Sequence, residues 1–150
     1  WVAADWAAQH DKPVRPCLQR ALEKAELATK SPDSYPEAWQ VLAETQLRLA
    51  RAAVATSAAR EQHLAAGLVA TETLFRLSPL HPLGRATHGA LMLLRAQSLT
   101  NPQSRHSAAQ SASAALTRAL AEDPMLEPSY ASLLAQASVV TATPSANGKE

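Results

Sequence analysis

The sequence predicts an all-α protein, and three observations carry the prediction. Apolar residues make up 47% of the 150 but aromatic residues only 4%, so most core positions fall to Ala and Leu, both strong helix formers. Val, Ile, Tyr, Phe and Trp, the usual strand builders, are scarce, and the four glycines are too few for a β protein that turns every ten residues or so. Prolines then punctuate the chain at a regular spacing. "ALEKAELATKSP" ends at Pro32, "GLVATETLFRLSP" at Pro79 and "SAALTRALAEDP" at Pro124, so the three prolines stand 47 and 45 residues apart. Each lacks an N–H and biases the residue before it away from helical geometry, so each ends a helix.

The elements follow in order. Aligning Pro32 with Pro79 puts Trp1 opposite Arg48, midway along a helix, so residues 1–10 are expected to be the back half of a truncated first helix. "HDKPVRP" at 10–16 breaks it, and a second helix covers 14–30. Pro36 suits the first turn of the next helix, where a missing donor costs nothing, and that helix runs over 36–55. A weak break near Thr56-Ser57 leads to a helix over 58–78. Pro82 opens the helix 82–98, "TNPQSRHS" at 100–107 forms a turn, and 106–122 is helical up to Pro124. Glu127–Thr141 forms a last helix, and the Pro- and Gly-containing residues 142–150 read as a disordered polar tail.

Two helices per period, repeated at fixed spacing, predict stacked antiparallel helical hairpins. The units cover about 1–32, 33–79 and 80–124, with a capping helix over 127–141, and together make one repeat domain over 1–141. Because the chain opens on Trp1 and shows no signal-peptide pattern, it is expected to be a piece of something longer.

Charge and cysteine content narrow the function classes. The net charge is +1 and the 14 Lys and Arg are spread along the chain, which argues against a nucleic-acid surface. The longest apolar stretch is "ALMLL" at 90–94, far short of a membrane span. Cys17 is alone, so no intrachain disulfide can form. It follows Pro16 near a helix start, where a thiol can be activated, but no base is oriented toward it, and an inert thiol is the favoured reading. The five histidines lack the three or four converging ligands of a zinc site: His81 precedes Pro82 in a connection, and no acidic residue or Cys joins His88 nearby. No cofactor, metal site or catalytic residue is expected in this chain, and a cytoplasmic setting is.

The residues around each connection resemble the tetratricopeptide repeat (TPR). Trp39, Leu42 and Ala43 match its first-helix pattern, and Tyr130 with Leu133 matches it in part. Arg85 and His88 depart from it where Trp and Leu are expected, although Gly89 keeps the small residue. In the second helices, Ala112, Leu116, Ala119 and Pro124 fit well, and Gly67, Leu74 and Pro79 less fully. The usual TPR period is about 34 residues, so these helices are longer. Elongated units with turns like "HDKPVRPCLQRALEKA" and "SPDSYPEAW" resemble the TPR tails of certain bacterial Ser/Thr protein kinases. The resemblance implies a scaffold that docks a protein or peptide or regulates an attached signalling domain. Kinase catalytic motifs are absent from these residues.

Two surfaces are candidates for that role. Glu37, Gln40, Glu44, Arg48 and Arg51 recur at three- and four-residue steps as a polar stripe, with Glu44 and Arg48 spaced to pair. In TPR-like stacks the first helices line a concave groove, and there this stripe would meet the apolar Leu83, Ala86 and Ala90 of the next first helix. The same features also fit an ordinary solvated face and a helix buried on both sides. The last helix carries no charge between Pro128 and Thr143, and if Tyr130, Leu133 and Ala137 pack inward, Leu134, Val139 and Val140 are left as interface candidates. They suit a homodimer through the C-terminal helix. The alternative function is a structural or oligomerisation domain with no groove ligand.

Overall fold

The structure is a computed structural model that describes residues 14–31, 34–55 and 57–142. Its elements are α1 (Val14–Thr29), α2 (Pro36–Ala52), α3 (Ala58–Leu77), α4 (Pro82–Ser98), α5 (Pro102–Glu122), a 3₁₀ turn (Pro124–Leu126) and α6 (Glu127–Ala142). The described residues are 87% helical and include no strand. The expected helix over 1–10 and the tail from residue 143 onward lie outside the described residues.

Local chemistry sets the helix ends. Pro36, Pro82 and Pro102 each occupy a first helical turn. Ser57 caps α3, its Oγ accepting from the Arg60 N–H at 3.2 Å. α2 therefore stops at Ala52, three residues earlier than its sequence suggested, and Ala53 turns to extended geometry with its N–H still donating to the Leu49 carbonyl. α5 starts at Pro102 rather than 106, because the Asn101 Oδ1 accepts from the Ser104 N–H at 2.9 Å and makes "NPQS" a helix start. Ahead of the terminal prolines, the Ser78 and Asp123 N–H groups close the last turns of α3 and α5 on Leu74 and Ala119. α6 runs through Ala142, one residue into the expected tail.

The chain divides into two compact units between Pro79 and Leu80. In the first, α2 packs against both α1 and α3. Gln46, late in α2, meets His63, early in α3, which fixes those helices as antiparallel. The core gathers Leu18, Leu22 and Ala25 of α1, Leu42, Ala43 and Leu49 of α2, and Ala70 of α3. Val14, Cys17 and Trp39 are half-buried against it. The Trp39 indole N–H donates to Ser34 Oγ at 3.2 Å.

In the second unit α5 is the central helix, packed against α4 and α6. Arg85 near the start of α4 pairs with Glu122 at the end of α5, so these helices also run antiparallel. Small residues let them approach closely: a Cβ added to Gly89 would lie 2.8 Å from Leu116 Cγ and 3.1 Å from the Ala112 carbonyl oxygen. Leu93, Ala112 and Ala137 form one core cluster, and Ala96, Ala108 and Ala109 another. The packing of adjacent helices is consistent with a helical repeat.

Candidate functional site

In the first unit a cavity of about 420 Å³ lies between α1 and α2, lined by Ala21, Lys24, Ala25, Ala28, Glu37, Ala38, Val41 and Thr45. Ala at three- and four-residue steps along α1 puts a row of single methyl groups on one face, and a seam between short side chains leaves a furrow. The Thr45 hydroxyl donates to the Val41 carbonyl at 2.7 Å and adds no free donor. The lining is therefore apolar, with the charges of Lys24 and Glu37 beside it.

This groove is not the one the polar stripe suggested. Of the five stripe residues only Glu37 lines it. Gln40 is 5% exposed, which removes it from any partner-facing surface, whereas Glu44 and Arg48 are half-buried and Arg51 is exposed. Glu44 Oε1 accepts from Gln40 Nε2 at 2.8 Å. The physical reason is that α2 is the central helix of its unit and buries two faces, including Thr45 and Gln46. In α4, Leu83 is half-buried, and Ala86 and Ala90 are 0% and 1% exposed. Those two alanines are interior residues and cannot face a partner.

On α6, Ala137 is fully buried and Leu133 packs against the cluster that contains it. Val139 is 68% exposed and Leu134 half-buried. Val140 differs from its expected place, because it packs inward on the cluster of Ala96, Ala108 and Ala109.

The histidines take structural roles that their spacing did not reveal. His81 caps α4, its Nδ1 accepting from the Gly84 N–H at 3.0 Å, so its position before Pro82 serves the helix start. His63 Nδ1 lies 2.8 Å from Gln46 Oε1. Its pKa is held below the usual imidazole range, first by burial and then by the nearby positive charge of Arg15. Among the described residues no group of three or more His, Cys, Asp or Glu could hold a metal ion. No helix among them is long and apolar enough to cross a membrane.

Sequence reasoning missed Ala21, Ala25, Ala28, Ala38 and Val41 as a site. The signal was present in the Ala spacing of α1, but an alanine row means a tight seam or an open furrow depending on its neighbour. It also missed Arg60, which is 8% exposed and has its Nε buried without a hydrogen-bond partner. Compared with protein-family models, with curated proteins and with solved structures, the chain gives no match.

Proposed function

We propose that this chain is a protein-interaction scaffold whose first unit docks a helical segment of a partner in the α1–α2 groove. The observation that carries the reading is the apolar lining of that groove, with Val41 and Ala28 exposed in it and one charge of each sign alongside. An amphipathic helix recognises such a surface by inserting apolar side chains at i, i+3 and i+4. Its flanking charges would set direction, a basic residue toward Glu37 and an acidic one toward Lys24. The TPR-like pattern of Trp39, Leu42 and Ala43 supports a scaffold role by analogy. The likeness to the tails of bacterial Ser/Thr kinases extends the proposal to a docking or regulatory segment of a larger signalling enzyme. Selecting helical peptides from a displayed library against the chain tests the reading. Binders should lose affinity for Val41→Asp and keep it for Val139→Asp; binders indifferent to Val41→Asp would refute it.

A second reading, self-association through α6, is favoured by one specific observation. The helix is uncharged between Pro128 and Thr143, yet Ala137 is its only buried residue. Uncharged, largely apolar helices are ordinarily covered. Light scattering across a dilution series, with Leu134→Lys alongside, tests it. A wild-type chain that stays monomeric at high concentration would remove this reading and leave the groove untouched.

A further inference from the structure

We propose that Arg60, His63 and Arg15 form a binding site for an oxyanion at the end of the first unit where α1 and α3 begin and α2 finishes. The site is separate from the groove, which lies farther along α1, at residues 21–28.

A buried guanidinium is ordinarily paired, because it loses its hydration and cannot shed its proton. Arg60 is more than nine-tenths buried, its Nε has no hydrogen-bond partner, and no carboxylate among the described residues pairs with it. His63 lies three residues on, on the same side of α3. Gln46 offers a side-chain oxygen to the His63 Nδ1, so that nitrogen carries the hydrogen and Nε2 is left for another partner. Arg15, exposed in the first turn of α1, adds positive charge that acts on His63, and no described carboxylate pairs with it. Arg60 and His63 therefore stand one turn apart with no described anion paired to Arg60, and Arg15 adds positive charge nearby. Phosphate and carboxylate groups supply the acceptors that guanidinium forks and an imidazolium Nε2–H would share.

Two sources carry that chemistry: a free phosphate, and a carboxylate of residues 1–13, which include Asp5 and Asp11. The test follows the His63 ring by NMR through a pH titration of the full chain, with and without inorganic phosphate at matched ionic strength. An anion held against His63 stabilises its protonated form, so phosphate should raise the titration midpoint of the wild type. Arg60→Gln should abolish the response. If only an Asp5→Asn/Asp11→Asn variant responds, the site is filled by the chain's own carboxylate. Thermal denaturation gives a second readout, because a ligand that binds the folded state raises Tm, and here it should do so only while Arg60 is present. A midpoint and a Tm indifferent to phosphate in both the wild type and the Asn variant would overturn the site. A response that persists in both Arg60→Gln and Arg15→Gln would do the same.

Discussion

The two units begin their hairpins from corresponding positions and solve the same packing problem differently. Trp39 stands near the start of α2 and lays its ring on the apolar core of the first unit. At the corresponding place in α4 stands Arg85, whose guanidinium reaches across to Glu122 at the far end of α5. Glu122 also accepts from Arg118 Nε at 2.9 Å, one turn back on its own helix. The first unit thus ties its hairpin with an aromatic plate, and the second with an ion pair above a seam of small residues. More than one chemistry can hold two antiparallel helices together.

The largest expected effect breaks this comparison on the aromatic side. Trp39→Ala should destabilise the chain by about 3 kcal/mol in chemical denaturation, at the low end for a Trp because its ring is only half-buried. A loss below about 1 kcal/mol would mean that the first unit does not depend on the ring. Gly89→Ala comes next, since the new methyl would meet Leu116 Cγ at 2.8 Å and the Ala112 carbonyl oxygen at 3.1 Å. Overpacking of that kind costs about 1–3 kcal/mol, offset by the gain of about 1 kcal/mol when Gly leaves a helix interior. A net loss of about 1 kcal/mol is expected. A stabilised variant would show that the α4–α5 seam has room to spare. Arg85→Ala should cost about 1 kcal/mol, because the Arg85 and Glu122 side chains are 12% and 28% accessible and Arg118 still neutralises Glu122. Raised salt should narrow the difference from wild type.

The smallest effect is a pH dependence confined to the first unit. The folded pKa of His63 lies below its unfolded value near 6.5, so the unfolded chain binds more protons as the solution is acidified. Stability should be complete above the unfolded value and decline as pH falls from it toward the lower folded value. In phosphate-free buffer, His63→Gln should flatten that part of the profile. An unchanged slope would show that His63 is not the group responsible.

How much of this was legible in the sequence depended on how local the cause was. Helix starts at Pro36 and Pro82 follow from backbone rules acting over a few residues. The start of α5 was misplaced because "NPQS" reads equally as a turn, and only the Asn101 side chain folded back on the Ser104 N–H decides it. The stripe on α2 was read as one face of an amphipathic helix. Periodicity in a single helix does not report that a second neighbour covers Gln40 and Gln46, both 5% exposed. The partner of Arg85 lies 37 residues away, at Glu122, beyond the reach of any local pattern. The groove is less legible still, because its alanines acquire meaning only once α1 and α2 are set side by side.

The central claim, that the first unit and not the second offers the helix-binding face, is tested most directly by mapping amide shifts in the isotopically labelled chain as a library-selected helical peptide is added. The account predicts perturbations centred on Ala21, Ala28, Ala38 and Val41, with the cavity between α4 and α5 at Arg95, Ser104 and Ser107 unmoved. Perturbations centred on α4 and α5, with Val41 and Ala28 unchanged, would contradict it.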